Sequence, residues 1–320
     1  HAFTLFADSS KKSKPTKRGR FNLGEKLVLS LCHEAKIEST TGTIEFNSVG
    51  RKKSSKKRKY GTLFTARLKM TNKEVLEAIE AVNMLIPPND VKTYINEVEL
   101  QTKEQIKSFE MQLATEISDD EGYLKRTKRK SLVEIYEADN AGWLFEMGIP
   151  VVETGDKYNI NVMQKVPLNI ERDNVNPSYL KTLRTGVLEN TIQLLDSEDT
   201  SESWISDALS NQSIKEDTVK KLISKKFGDK VVSYDPSDSE ANKIAFSQGY
   251  TVIHGRQLNK EQWGNVRKSE AILPAGKVTP SPKPFSDDPN AESLKMLSKN
   301  DGSEKELKLV NKLENLSKIL

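Results

Sequence analysis

The apolar positions of this 320-residue chain change their spacing several times, and each change predicts a different element. Ala2, Phe3, Leu5 and Phe6 read as a short amphipathic helix, followed by a polar, basic loop to residue 18. The run Leu27-Val28-Leu29-Ser30-Leu31 reads as a buried helix over 24–33. Residues 36–39 and 43–46 predict two short strands joined by Thr41-Gly42. Residues 63–70 alternate apolar and polar, the pattern of a half-buried strand. The basic run 51–59 reads as a loop, so strands flank it as in a long hairpin. Thr71 followed by Glu74 is a capping-box pattern, opening a helix through Val75, Leu76, Ile79 and Val82 that ends before Pro87-Pro88. Residues 91–100 predict one more strand.

Strand patterns then recur at 109–117, 131–136, 144–152 and 158–166. They lead to Pro177-Ser178-Tyr179, which opens a helix through Leu180, Leu183, Val187, Ile192 and Leu195. Consecutive strands followed by a helix predict an α+β arrangement. Residues 201–275 alternate differently: helices near 202–210 and 215–226, a strand at 230–234, a helix capped by Asp235-Pro236-Ser237-Asp238 and ended by Gly249, a strand at 250–253, and a helix over 259–268. This predicts a small α/β module. Residues 279–290 read as a Pro/Ser/Asp-rich linker. Leu307, Leu309, Val310, Leu313, Leu316 and Ile319 mark a charged amphipathic helix suited to a partner or to self-association. The expected divisions are 1–104, 105–199, 200–275 and 276–320.

Composition narrows the function classes. Hydrophobic residues make up 35% of the chain and charged residues 30%. No apolar run is long enough to cross a bilayer, which predicts a soluble protein with no membrane partner, and the use of a single cysteine makes a reducing, intracellular (cytoplasmic) setting the expectation. The single cysteine, Cys32, excludes an internal disulfide and cysteine-rich zinc sites. His1, His33 and His254 lack the spacing of a helical zinc site, so no protein-built metal centre is expected. Cys32 and His33 are adjacent on an expected helix and point about 100° apart, which makes them a poor nucleophile pair. The net charge is +4, but cations are clumped at 11–18 and, more densely, at 51–59. Such clumps are phosphate or nucleic-acid patches, localisation signals, or solvated loops. Neither is interleaved with aromatic residues. The chain begins without methionine and ends inside a helical pattern, so it reads as part of a longer protein.

Candidate chemistry starts at Gly19-Arg20-Phe21-Asn22-Leu23-Gly24-Glu25-Lys26, which opens the 24–33 helix. Two glycines before a helix read as an ordinary turn or as a phosphate site, because glycine admits close backbone approach and a helix N-terminus offers free N–H groups. Gly61-Thr62 begins the strand beyond the basic run. This order of glycine box, helix, strands and Gly-Thr strand resembles the second half of the Bergerat ATP-binding fold of the GHKL superfamily. That superfamily includes gyrase B, ninety-kDa heat-shock chaperones, histidine kinases and MutL proteins. The box resembles the chaperones' glycine-x-phenylalanine-glycine-x-glycine, with Asn22 replacing the middle glycine. Gly24-Glu25-Lys26-Leu27 also resembles the glycine-glutamate-x-leucine of MutL. The resemblance implies that residues 8–18 lie in an ATP lid and that Gly19, Phe21, Asn22, Leu23, Gly24, Glu25 and Lys26 bind nucleotide. It also implies that Thr62 helps hold adenine through an aspartate and water.

Pro167-Leu168-Asn169-Ile170-Glu171-Arg172-Asp173 resembles the chaperone middle-domain motif whose arginine contacts the γ-phosphate. By this resemblance Arg172 is the catalytic arginine and Asn169 its neighbour at the nucleotide, and Lys165 corresponds to the transducer lysine of gyrase and MutL. Arginine suits the role because it stays charged and can fork two donors onto phosphate. The alternative for Arg172 is a surface ion pair with Glu171 or Asp173. Taken together, the resemblance implies an α+β protein. It would comprise the C-terminal half of a Bergerat ATP-binding domain, an S5-like transducer, and a small α/β module with a C-terminal helix. It would use ATP with Mg²⁺, form a homodimer, and pass nucleotide-driven closure through the transducer to a partner. The family's glutamate base, Mg²⁺-binding asparagine and adenine-reading aspartate motif do not appear in this chain, which therefore predicts negligible hydrolysis by the chain alone. The rival expectation is a nucleic-acid-binding or assembly protein that uses the basic loops 11–20 and 51–59 without catalysis.

Overall fold

The computed structural model describes residues 14–17, 24–118, 123–169, 174–281 and 303–317. Helix α1 (Gly24–Leu31) runs directly into β1 (Cys32–Glu38). That strand pairs antiparallel on one side with β2 (Thr43–Asn47) and on the other with β4 (Leu63–Leu68), while β3 (Gly50–Ser54) extends the sheet beside β2. Two expectations are corrected here. The first part of the basic run is a strand, not a loop, and the strands flanking the run do not pair with each other. Asn47 Oδ1 accepts the Val49 N–H at 3.0 Å in a side-chain-closed turn, which folds β3 back and sets Lys52 opposite Glu45.

Helix α2 (Asn72–Asn83) has the expected capping box: the Thr71 N–H donates to Glu74 Oε2 at 2.7 Å and the Glu74 N–H donates to Thr71 Oγ1 at 3.3 Å. None of its residues is buried, and Val75, Leu76 and Ile79 are exposed. The single strand expected over 91–100 is instead a small hairpin of β5 (Tyr94–Ile95) and β6 (Val98–Glu99). Asn96 and Glu97 both take positive φ, 48° and 68°, and reverse the chain between them.

The second sheet contains β7 (Gln105–Ser118), β8 (Leu124–Glu137), β9 (Trp143–Glu146), β10 (Ile149–Glu153) and β11 (Tyr158–Val162) in the order β10-β9-β11-β8-β7. All neighbours are antiparallel except β11 and β9. The apolar run 144–152, expected as one strand, is broken by a turn at Met147-Gly148, with φ of 49° and 81°. Gly148 is also a point of close approach. The Ile86 N–H donates to its carbonyl at 2.9 Å, and a Cβ at 148 would stand 2.3 Å from the Ile86 carbonyl oxygen. Ile86 packs with Tyr136 and Phe145, joining the segment after α2 to this sheet.

Helix α3 (Pro177–Thr191) is capped by the Asn176 side chain, which accepts the Ser178 N–H. It lies against β7 at Gly186, where a Cβ would meet the Met111 sulfur at 2.5 Å. Beyond it come α4 (Ser203–Leu209) and α5 (Glu216–Phe227), then β12 (Val231–Ser233), α6 (Ser239–Ser247), β13 (Thr251–Ile253), α7 (Lys260–Lys268), β14 (Leu273–Pro274) and α8 (Ala275–Val278). The three strands form a parallel sheet in the order β13-β12-β14. The last strand and α8 are too short to have been read from the sequence. Helix α9 (Glu304–Ser317) follows the expected period and leaves Leu309, Leu313 and Leu316 exposed. The fold is thus mixed α+β with several separate sheets, and no helix among the described residues is long and apolar enough to cross a membrane.

One hydrophobic core runs from the second sheet into the α/β layer. Leu113, Val133 and Ile160 meet Leu183 and Val187 of α3, and the same cluster continues through Trp204, Leu222, Val266 and Ile272. Within it sits an ionic cluster. Arg184 of α3 donates to both oxygens of Asp156, with Nη2 2.6 Å from Oδ1, and its Nη1 pairs with Asp207 of α4. The Asp156 side chain is 3% exposed and that of Arg184 11%, whereas that of Asp207 is 54% exposed. Removing one partner of a buried pair leaves an uncompensated charge, which costs roughly 3–5 kcal/mol. Arg184→Ala is therefore expected to lower the thermal midpoint by roughly 6–20 °C, taking about 2–4 °C per kcal/mol for a body of this size. Asp207→Ala, at the wet end of the cluster, is expected to cost about 1 kcal/mol or less. Calorimetric melting of both variants checks the contrast.

Candidate functional site

Strand β11 is buried along its whole length and delivers the chain to a turn at 163–166 that three neighbouring strands hold from all sides. The Met163 N–H donates to the Leu132 carbonyl at 3.0 Å. Gln164 Nε2 donates to the Leu113 carbonyl at 3.2 Å. The Lys165 carbonyl accepts Thr115 Oγ1–H at 2.9 Å, and the Val166 N–H donates to Glu146 Oε2 at 2.8 Å. Gln164, Lys165, Val166, Thr115 and Glu146 are all buried. Polar groups sealed this way are fixed in place, because losing any one partner would leave a buried donor or acceptor unsatisfied.

One further bond leaves this turn for a distant part of the chain. The Lys165 N–H donates to the Pro15 carbonyl at 2.8 Å. Pro15 belongs to the first basic segment, so the structure brings that segment onto the turn that carries Lys165. Pro15 and Thr16, with Gln112, Lys128, Arg129 and Gln164, line an open cleft of about 590 Å³ beside it. Lys130, also at the cleft, pairs with Glu110 at 2.5 Å, whereas Lys128 and Arg129 have no ion-pair partner among the described residues. The sequence signal for this cationic stretch of β8 is the basic run Lys125-Arg126-Thr127-Lys128-Arg129-Lys130.

After the turn, the chain forms a loop whose base is clamped. Leu168 and Val175 form a bridge, the Asn169 N–H donates to the Asn174 carbonyl at 3.1 Å, and the Asn174 N–H donates to Asn169 Oδ1 at 3.3 Å. Asn169 is exposed and closes this loop immediately before α3. Arg172 lies within residues 170–173, outside the described residues.

The glycine box is described only from Gly24 onward. Gly24 and Glu25 open α1 and Lys26 is half-buried in its first turn, while Gly19, Phe21, Asn22 and Leu23 lie outside the described residues. Thr62 follows Gly61, whose φ is 69°, and stands where β4 begins opposite Glu38. It is exposed, and among the described residues its hydroxyl has no hydrogen-bond partner, aspartate included. The helix α1 joins the sheet at Cys32, the other end of β1. The structure therefore brings together Pro15, Lys165 and the base of the Asn169 loop, but records no hydrogen bond from Thr62 to them.

Lys128 and Arg129, without an ion-pair partner among the described residues, stand at the cleft beside the fixed turn, and cations so placed suit a phosphate. No group of three or more His, Cys, Asp or Glu among the described residues is placed to hold a metal ion. No protein-family model matches the chain, and the search of curated proteins finds no match either.

Proposed function

We propose that this chain is the lid-and-transducer portion of a GHKL-type ATPase, in which ATP-driven closure and dimerisation pass through the second sheet and α3 to a partner. The observation that carries this reading is the Lys165 N–H to Pro15 carbonyl bond. Two segments singled out separately, one resembling an ATP lid and the other a phosphate-sensing transducer loop, meet there although they are remote in sequence. In the intact site, Lys165 and Arg172 would face the terminal phosphate, with Asn169 closing the loop that carries Arg172. ATP would supply the polyanion that these cations gather around, and Mg²⁺ the additional charge neutralisation. The exposed apolar residues of α1, α2 and β4, among them Leu27, Leu31, Phe64 and Leu76, support a layer that packs against further structure on closure.

This reading predicts discrimination by the terminal phosphate. ATP is expected to bind more tightly than ADP, and Arg172→Ala is expected to weaken ATP by about tenfold or more while leaving ADP unchanged. Equilibrium binding of both nucleotides to the two proteins checks it. Equal affinities in all four measurements, or no binding, would refute the reading.

A second reading rests on the edge strand β3. Its five residues are all exposed, and Lys52, Lys56 and Lys57 have no ion-pair partner among the described residues. The run is also ordered: the Arg58 N–H donates to the Ser39 carbonyl at 3.0 Å, and Thr43 Oγ1 donates to the Lys56 carbonyl at 2.7 Å. This is a fixed cationic ridge suited to a phosphate backbone. If nucleic acid is the ligand, log affinity should fall linearly with log salt, by roughly 0.7–0.9 per phosphate contacted. Replacing Lys52, Lys56 and Lys57 with alanine should flatten that slope by about two to three units, and an unchanged slope would remove this reading.

A further inference from the structure

The parallel sheet has a second cleft, unrelated to the lid. From β12 the chain crosses through α6 to β13 on one side, then through α7 to β14 on the other. The carboxyl ends of β12 and β14 therefore flank a topological switch point, the place where open α/β sheets leave a crevice. A cleft of about 320 Å³ lies there, lined by Tyr234 after β12, Trp263 and Arg267 of α7, Glu270, and Lys277 of α8. This is at the lower end of small-molecule sites, roughly 300–1,000 Å³.

The lining chemistry has three parts. First, Arg267 and Lys277 line one crevice and have no ion-pair partner among the described residues, and the Arg267 guanidinium lies 5.9 Å from the centroid of the Trp263 ring. Second, the aromatic rings are fixed. Trp263 Nε1 donates to the Gly255 carbonyl at 2.6 Å, and Tyr234 stacks on His254 with ring centroids 5.1 Å apart at 27°. Tyr234 is nevertheless 44% exposed. Third, Glu270 supplies the only carboxylate among those lining side chains, an acceptor suited to hydroxyl or amino groups rather than to an anion.

We propose that this cleft binds a nucleotide unit, with its phosphate between Arg267 and Lys277, its base against the Tyr234 ring, and its ribose hydroxyls toward Glu270. Phosphate and a flat π-face are what paired cations and a fixed aromatic ring recognise together. A free mononucleotide and a nucleotide within a single strand share this chemistry. The site is independent of the ATP reading, since none of its residues belongs to the lid, the turn at Lys165 or the Asn169 loop.

Calorimetric titration of the full chain without Mg²⁺, using AMP, adenosine and a 5′-phosphorylated thymidine tetranucleotide, tests it. AMP is expected to bind at least about tenfold more tightly than adenosine, and the Arg267→Ala/Lys277→Ala variant should lose at least about tenfold for AMP. Tyr234→Ala should weaken AMP and adenosine alike. A tetranucleotide that binds more tightly than AMP, with affinity falling steeply with salt, identifies a strand as the ligand; one that binds no more tightly identifies the free nucleotide. Either result supports the site. If AMP and the tetranucleotide both fail to bind, if adenosine binds as well as AMP, or if the double variant with unchanged circular dichroism binds like the parent, the proposal is overturned. The comparison of AMP with adenosine needs no variant, so it holds even if a substitution impairs folding.

Discussion

A guanidinium held in the middle of a buried helix sets the geometry of most of this molecule. Arg184 grips Asp156 in the connection between β10 and β11 and reaches Asp207 in α4, so one side chain fixes the sheet, α3 and the helical layer to each other. Burial pushes the Asp156 carboxyl upward, and the hydrogen bonds and charge of Arg184 pull it back. A neighbouring pair, Lys157 with both oxygens of Asp199 at 2.6 Å, holds the start of β11 to the chain ahead of α4. The hydrogen bonds with Asp199 raise the Lys157 ammonium above its ordinary value. A buried pair such as Arg184 with Asp156 adds little net stability over apolar packing, but losing one partner is strongly destabilising. Both pairs hold the start of β11, the strand whose far end carries the candidate phosphate turn.

The two halves of the chain rest on different physics. Between Leu113 and Ile272 one core joins the antiparallel sheet, α3, α4, α5 and α7, while Val232, Ala241, Ala245 and Ala275 form a smaller cluster at the parallel sheet. Before residue 105 the four-stranded sheet buries little beyond Ala35 and Ile44, and α2 buries nothing. Its order comes from backbone pairing and capping more than from packing, which places it at the low-stability end of the molecule, where moving elements are found.

What the sequence revealed follows how local each determinant is. The capping box of Thr71 and Glu74, the Asp238 cap and the stop at Gly249 are set by neighbours within a few residues and were legible. Strand β3 was hidden because three of its five residues are cationic and none is apolar, and it forms through the turn at Asn47 and backbone pairing with β2. The pairing of β4 with β1 rather than with the strand preceding the basic run is a choice among partners that alternation alone does not encode. At the candidate site, Asn169 was singled out through the 167–173 motif and Lys165 by analogy, whereas the Pro15 contact and the β8 cations depend on tertiary placement. The cleft at the parallel sheet was invisible for the same reason, since Tyr234, Arg267 and Lys277 come from three connections.

In the proposed function the Pro15 segment and the Lys165 turn would form one phosphate-responsive unit. Hydrogen exchange at the Lys165 amide, which donates to Pro15, reports on it most directly. The account predicts that ATP slows exchange at this amide and that ADP has a smaller effect. An exchange rate that is the same without nucleotide, with ADP and with saturating ATP would contradict it.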